Sequence, residues 1–337
     1  MTAAASVSPA PLEALLSGVH QSYALLAGLQ LDLFTQLADG PRTVEQLAAA
    51  VGGDPQRLAA LLHFLVSMEF LTVADGRFAN TALADRWLVR GRPGSYVGMA
   101  GQLTEVWGAV AQTAASIQTG HACGAHDYTQ ISREQQLAIY QGLDAGVETA
   151  VQRLAAQVDF AGCRTVLDAG GGSGALAVAL TRRYPHLRAT VAELPNVVPL
   201  TAELVAAAGA SDRVATLASD LLAGPLSGGF DVAILRSVVQ VFGADEARQV
   251  IANVAAALRP GGTLCIGGMV ADDSRLSPPS AVQYGFIAVS FYEQGQAYTG
   301  SEYRSWLAAA GLADVAFHWG PPGMGCLIVA RKGSATA

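Results

Sequence analysis

The first quarter of the chain carries its apolar residues at helical spacing. Between residues 12 and 88 they recur every three or four positions, which predicts a series of short packed helices. Asp54-Pro55 supplies an N-cap and a first-turn proline for the third helix. Residues 70–79 then form two extended runs around the turn Asp75-Gly76, as a hairpin does. Three helices and a hairpin predict a winged-helix module over residues 12–95.

A different pattern begins after a glycine-containing connector. A long helix is expected from Arg133 to about Val158, and strand-like runs alternating with helical segments follow it. The runs are residues 165–168, 189–193, 214–218, 230–235 and 262–266. This alternation predicts a doubly wound α/β fold, a parallel sheet covered on both faces. Residues 315–319 and 326–330, joined by a Gly-Pro turn, predict an antiparallel hairpin, so residues 96–337 form the second expected domain.

Length, charge and cysteine spacing limit the kinds of partner that the protein is expected to bind. A length of 337 residues suits two domains, and a net charge of −7 without clustered Lys or Arg argues against nucleic acid. The third helix has Arg57 as its fixed positive charge, so packing or dimerisation is favoured over a DNA-binding regulator. No targeting segment or membrane-length apolar run is recognised, since residues 58–74 contain His63 and Glu69, and a cytoplasmic protein is expected. Four scattered cysteines without a C-x-x-C pair give no reason to expect a metal.

A glycine-rich loop follows the first predicted strand of the second domain. Gly170 to Gly174 comes directly after residues 166–168 and opens a helix, so the backbone can turn sharply and receive a ligand near a helix N-terminus. The spacing Gly170-x-Gly172-x-x-Ala175 also satisfies the relaxed dinucleotide fingerprint. A nicotinamide-dependent oxidoreductase is therefore an alternative.

Acidic residues follow successive strands. Asp168 ends the first strand, where a carboxylate suits a cationic amino group and a sulfonium but would repel a pyrophosphate. Glu193 ends the second, where an acid can accept ribose hydroxyls. Asp220 is expected to end the third, near an adenine amino group, and Arg236 follows the fourth. Taken singly, Asp220 and Arg236 could equally be solvated loop charges, but the set in strand order favours S-adenosylmethionine.

Together these segments resemble the S-adenosylmethionine-dependent O-methyltransferases of the plant caffeate and bacterial natural-product type. The matching segments are residues 166–174, 193–198, 219–222, 235–240 and 258–264. The resemblance implies a Rossmann-like class I methyltransferase sheet with an antiparallel C-terminal hairpin, preceded by a winged-helix dimerisation domain, in a homodimer. It implies the following cofactor contacts: Asp168, Gly170 and Gly172 at the amino acid end, Glu193 with Leu194 at the ribose, Asp220 and Leu221 at the adenine, and Arg236 alongside.

The catalytic positions depart from that family. Its histidine, four residues after the Arg or Lys, is Gln240 here, and its strand-ending glutamate corresponds to Gly267 or Gly268. Another family glutamate, near the last helix, is also missing from residues 297–299. Gln240 cannot remove a proton, and a phenol of pKa about 10 is scarcely ionised at neutral pH. A nitrogen, sulfur, activated carbon or acidic oxygen acceptor is therefore favoured, with a non-methylating step that uses the sulfonium charge as the alternative.

A polar cluster in the connector contains His121 and His126. An exposed loop is the ordinary interpretation, and the hypothesis is that one of these histidines faces the substrate, with His126 as a replacement base. Four aromatic side chains are candidates for a flat substrate pocket: Trp107, Tyr140, Phe286 and Phe291. The sequence thus predicts a metal-independent methyltransferase that acts on an aromatic or polycyclic small molecule of secondary metabolism.

Overall fold

The computed structural model describes residues 8–124, 132–144, 146–321 and 323–333. The chain forms two compact units, one up to Thr104 and one from Glu105 onward. No helix within these described ranges is long and apolar enough to cross a membrane.

The N-terminal unit is mainly helical. Its elements are α1 (Ala10–Gln30), α2 (Leu33–Gln36), β1 (Arg42–Thr43), α3 (Val44–Val51), α4 (Pro55–Ser67), β2 (Leu71–Ala74), β3 (Arg77–Asn80) and α5 (Ala82–Trp87). In this described part of the chain the strands form one antiparallel sheet in the order β1-β3-β2. The structure therefore contains the predicted hairpin and adds a third short strand to it.

Local sequence signals place the helices of this unit. The Thr43 hydroxyl accepts from Gln46 N, and the Gln46 side chain accepts from Thr43 N, which closes a capping box at the start of α3. Asp54 accepts from the N–H of Arg57 and caps α4. The helices pack on fully buried side chains that include Phe34 and Leu62.

The C-terminal unit is built on a mixed sheet. The strands of this unit are β4 (Thr165–Ala169), β5 (Arg188–Glu193), β6 (Val214–Ala218), β7 (Phe230–Arg236), β8 (Leu258–Gly268), β9 (Val270–Ala271), β10 (Tyr298–Thr299), β11 (Leu312–Trp319) and β12 (Cys326–Lys332), of which β9 and β10 pair apart from the main sheet. Its helices are α6 (Ala100–Val110, which begins before the division), α7 (Thr113–Thr119), α8 (Arg133–Asp144), α9 (Val147–Ala155), α10 (Ala175–Arg183), α11 (Val198–Ala207), α12 (Ala244–Ala256), α13 (Pro279–Phe291) and α14 (Gly300–Ala309).

The strand order explains where a ligand can bind. Among the described residues the main sheet has the order β11-β12-β8-β7-β4-β5-β6, parallel from β8 to β6, with β12 antiparallel to β8 and β11 antiparallel to β12. The chain runs outward from β4 through β5 to β6 and then returns to β7 on the other side of β4. Such a reversal opens a crevice at the carboxyl end of the central strand. Val166 and Leu167, both fully buried, belong to different core clusters and so anchor β4 in two helical layers.

The expectation of one helix from Arg133 to about Val158 is wrong. Helix α8 ends at Asp144, and α9 begins at Val147 after Gly146. The carbonyl of Leu143 accepts from the N–H of Gly146 and from the Arg236 guanidinium, at 3.4 and 3.0 Å. Since glycine is a poor helix former and the arginine satisfies a terminal carbonyl, the helix ends here.

Candidate active site

The glycine loop lies at the carboxyl end of β4. Gly172 has φ +56°, in the left-handed region that glycine adopts at little cost. A Cβ at Gly171 would lie 2.7 Å from the carboxylate carbon of Asp168, so this position requires glycine for space as well. The N–H of Gly170 donates to Ala192 O on the neighbouring strand β5, at 2.8 Å. The loop is therefore held tightly against Asp168.

Asp168 is a buried acid beside the glycine loop. Its side chain is 1% exposed, and its Oδ2 is a buried oxygen without a hydrogen-bond partner among the described residues. Burial raises the pKa of this carboxyl from 3.8 to about 7; Arg236 opposes the rise, while Glu193 and Asp144 add to it. A buried, unpartnered oxygen of this kind needs an explanation. A cationic ligand group would supply the missing donor.

Glu193 ends β5 and holds the loop from the other side. Its Oε1 accepts from the N–H of Gly172 at 3.1 Å, and its Oε2 accepts from the N–H of Leu194 at 2.8 Å. Burial raises the pKa of this carboxyl, and the two backbone donors oppose that rise. Because each carboxylate oxygen has two lone pairs, both can still accept a ligand hydroxyl.

The end of α8 closes the opposite wall of the crevice. The Ser173 hydroxyl donates to Asp144 Oδ1 at 2.8 Å, which ties α8 to the glycine loop. Burial raises the pKa of Asp144, while Ser173 and Arg236 oppose the rise. These groups surround a cavity of about 40 Å³, lined by Tyr140, Leu143, Asp144, Asp168, Gly170, Gly171, Gly172, Ser173, Leu176, Arg236 and Ser237. The sequence interpretation did not identify Asp144, whose role depends on where α8 ends.

The predicted adenine contacts lie outside that cavity lining. Asp220 does not end β6, as expected, because the strand stops at Ala218. Its Oδ1 instead accepts from the N–H of Leu222 at 2.9 Å and fixes a turn. Leu221 is buried, and its carbonyl accepts from the amide of Asn253. Arg236 is the last residue of β7 rather than a residue after it.

Gln240 lies on a 3₁₀ turn, Val239–Val241, four residues after Arg236. Its side chain is 7% exposed, and its Oε1 accepts from the N–H of Met269, just beyond β8, at 2.8 Å. A Cβ at Gly268 would lie 2.6 Å from that same oxygen. The absence of a side chain at Gly268 therefore makes room for the glutamine amide.

The structure places the substrate candidates on several elements of the C-terminal unit. Of these, Tyr140 lines the cavity. His121 is an exposed residue whose Nδ1 lies 3.4 Å from Glu293 Oε2. Trp107 lies on α6, while α13 carries a half-exposed Phe286 and a buried Phe291. His126 lies outside the described residues.

A parallel sheet with an antiparallel edge, and a buried and a partly buried acid around a glycine loop at its switch point, define a nucleoside-binding domain of the class I methyltransferase type. The chain belongs to the O-methyltransferase family, because the model of the O-methyltransferase domain matches residues 105–313 and that of the O-methyltransferase dimerisation domain matches residues 13–90. The chain is 32% identical to the 3-hydroxy-5-methyl-1-naphthoate 3-O-methyltransferase of Streptomyces sahachiroi, over 91% of this chain and 90% of that protein. It is 28% identical to an N,N-dimethyltransferase of Streptomyces rimosus, over 88% and 89%.

The fold is also that of a solved structure. Human N-acetylserotonin methyltransferase, crystallised with S-adenosylmethionine, superposes with a TM-score of 0.84 at 23% identity, covering 99% of this chain and 100% of that one. The chain is thus an S-adenosylmethionine-dependent methyltransferase, and S-adenosylmethionine is its cofactor. The family match decides against the nicotinamide alternative, and the unpartnered Oδ2 of Asp168 fits the cationic amino group of this cofactor.

Proposed function

We propose that this enzyme methylates an aromatic or polycyclic small molecule of secondary metabolism, at an acceptor atom that needs no strong base. The naphthoate O-methyltransferase among its relatives supports this substrate class, and the N,N-dimethyltransferase supports a range of acceptor atoms. Bound S-adenosylmethionine supplies an electrophilic methyl group on a sulfonium sulfur. The residues of the chain hold this cofactor and orient the acceptor, so that proximity provides much of the rate.

The observation that carries the proposal is the buried, unpartnered Oδ2 of Asp168 beside the glycine loop. Asp168, with the backbone of Gly170 and Gly172, binds the amino acid end of the cofactor. Glu193 and the adjacent Leu194 bind the ribose, since both carboxylate oxygens retain a free lone pair. Asp220 and Leu221 take the adenine end, and Arg236 lies alongside the amino acid end.

The acceptor follows from the residue that stands at the position of the family's catalytic histidine. Gln240 has no titratable group, and a general base contributes on the order of 10² to 10⁴ in rate. Two carboxyls with raised pKa line the cavity, but neither serves as the base. Asp144 accepts a hydrogen bond from Ser173, and Asp168 binds the cofactor amine. A neutral amine, a thiol, an activated carbon or an acidic hydroxyl is the acceptor, because each is nucleophilic without a base.

We also propose a homodimer. Helix α1 exposes a run of large apolar side chains, Leu12, Leu15, Leu16 and Val19, which are between 51% and 76% exposed. An exposed apolar stripe of this kind marks an interaction surface. From Leu15 onward it lies within the segment that matches the dimerisation domain, so the occupant is a second copy of the chain.

The test is incubation with S-adenosylmethionine and separate panels of aryl amines, aryl thiols, phenols and hydroxyquinones. A product heavier by one methyl group, formed together with an equal amount of S-adenosylhomocysteine, is expected from one of these panels. Asp168→Ala abolishes this product in a correctly folded protein, whereas Gln157→Glu, an exposed position on the C-terminal unit, retains it. Turnover of an acceptor without S-adenosylhomocysteine would instead indicate a non-methylating reaction and contradict the proposal.

A further inference from the structure

The orientation of the Gln240 amide is fixed by its neighbours. The N–H of Met269 needs an acceptor, and the glutamine oxygen supplies it at 2.8 Å. The N–H of Gln296 donates to the Gln240 main-chain carbonyl at 3.0 Å, which holds the residue at a second point. An amide oxygen and nitrogen are told apart by such a network. The oxygen of Gln240 therefore faces the backbone of Gly268 and Met269, and its NH₂ group forms the other arm of the amide.

That NH₂ group has no protein acceptor among the described residues. The buried side-chain polar atoms that lack a partner there are Asn80 Oδ1 and Asp168 Oδ2, and the Gln240 nitrogen is not one of them. An atom without a partner that is not one of these buried atoms is accessible to solvent, so the Gln240 nitrogen reaches solvent although the residue as a whole is 7% exposed. The loop that carries it begins with Arg236 and Ser237, which line the cavity. Gln240 is not itself a lining residue, but its turn follows β7 at the carboxyl edge of the sheet, as the glycine loop follows β4.

We propose, on the basis of the proposed function, that Gln240 determines specificity by donating a hydrogen bond to an ionised acceptor oxygen, and that the substrates are aromatic or polycyclic compounds with an acidic phenol or enol. An NH₂ group has hydrogen-bond donors but no free acceptor. It cannot receive the proton of a neutral phenol, whereas it stabilises an oxygen anion. A hydroxyl conjugated with a ring carbonyl, as in 2-hydroxyquinones, has the required acidity.

The chemical step balances without a base. The ionised oxygen gives an electron pair to the methyl carbon while the carbon–sulfur bond breaks and its electron pair stays on sulfur. The oxygen becomes a neutral ether oxygen, and the sulfur becomes a thioether. The acceptor proton has left to solvent before binding, so Gln240 has no proton to remove.

A bound chromophore tests the charge preference directly. The probe is 2-hydroxy-1,4-naphthoquinone, whose anion absorbs visible light, titrated with pH on the protein in the presence of S-adenosylhomocysteine. A charge-assisted hydrogen bond favours the anion, so the bound probe is expected to ionise with a pKa about one unit lower in the parent than in Gln240→Leu, a roughly tenfold shift in equilibrium. Equal values in both proteins would overturn the proposal.

Two further variants test whether probe binding depends on the NH₂ donor of Gln240 and on the position of its amide. Gln240→Glu keeps an acceptor for Met269 N but replaces the NH₂ donor with an oxygen, and it should weaken binding of the anionic probe by on the order of tenfold or more. Gly268→Ala keeps the glutamine but places a Cβ 2.6 Å from its oxygen. This should displace the amide and also lower the affinity for the anionic probe. Gln157→Glu, the exposed control, should bind the probe as the parent does. Unchanged probe affinity in both site variants would contradict the assignment.

Kinetics distinguish this inference from the proposed function. For the parent, kcat/KM should rise with pH to a plateau set by the pKa of the acceptor, and 2-naphthol should react far more slowly than 2-hydroxy-1,4-naphthoquinone at pH 7. Efficient methylation of 2-naphthol, with a pH profile independent of the acceptor, would refute the role of Gln240 while leaving the proposed function intact. Failure of every acceptor panel to give S-adenosylhomocysteine would refute the proposed function itself.

Discussion

Replacing Asp168 with asparagine should stabilise the ligand-free protein while it weakens cofactor binding. The carboxylate is removed from water, and one of its oxygens has no described partner. Its pKa rises from 3.8 to about 7 mainly through burial. A carboxyl whose folded pKa is raised binds its proton more tightly in the folded state. Its contribution to stability is therefore complete below pH 4 and is lost as the pH rises through 7.

The size of this effect follows from the shift. One pKa unit corresponds to about 1.4 kcal/mol, so a rise from 3.8 to about 7 costs roughly 4 kcal/mol of unfolding free energy well above pH 7. Between pH 5 and pH 8 the parent should lose roughly 2 to 3 kcal/mol relative to Asp168→Asn, because the variant has no charge to bury. Any fixed cost of packing the asparagine amide is the same at both pH values and cancels in this comparison.

Denaturant unfolding without ligand at pH 5 and pH 8 measures the difference. Asp212→Asn, a carboxylate-to-amide change at a side chain that is 72% exposed, is the matched control. Calorimetric titration with S-adenosylhomocysteine should show weaker binding by Asp168→Asn, by about 10- to 100-fold at pH 7.5, because a charged hydrogen bond is lost. If the stability gap between parent and Asp168→Asn is the same at both pH values, the buried charge is not what destabilises the site.

Three other changes test separate parts of the structure. Glu193→Ala should lower affinity for S-adenosylhomocysteine at least tenfold by calorimetry, since it removes the ribose acceptor and the partner of Gly172 N; tight binding would exclude that role. Gly172→Ala should weaken the same binding several-fold, because its φ is +56° and its Cβ would lie 3.0 Å from the Tyr140 ring; unchanged affinity would show that the loop tolerates a side chain. Leu16→Glu on α1 should convert a dimer to a monomer in light scattering, with a dimer of unchanged mass as the contrary result.

Much of the fold follows from the sequence because its signals are local. The capping pair Thr43 and Gln46, the Asp54-Pro55 start of α4 and the glycine loop each determine their own neighbourhood. The end of α8 could not be predicted in this way. The carbonyl of Leu143 near its end is satisfied by Arg236, a residue 93 positions away in the sequence, and only the folded sheet brings that side chain to the helix.

The same distinction applies to the site. Asp168 and Glu193 could be identified because strand ends and glycine loops have recognisable patterns, whereas Asp144 could not, since its contact with Ser173 spans 29 residues. At Gln240 the residue type excludes a base, yet it does not say which end of the amide faces a ligand. The hydrogen bond from Met269 N and the space at Gly268 determine which end faces a ligand. Both residues are distant from Gln240 in the sequence. A glutamine with both ends free would accept from a neutral phenol as readily as it donates to an anion. The N–H of Met269, just beyond β8, holds the oxygen of Gln240 against Gly268. The NH₂ end is therefore the one left for a ligand, and this orientation makes the side chain selective.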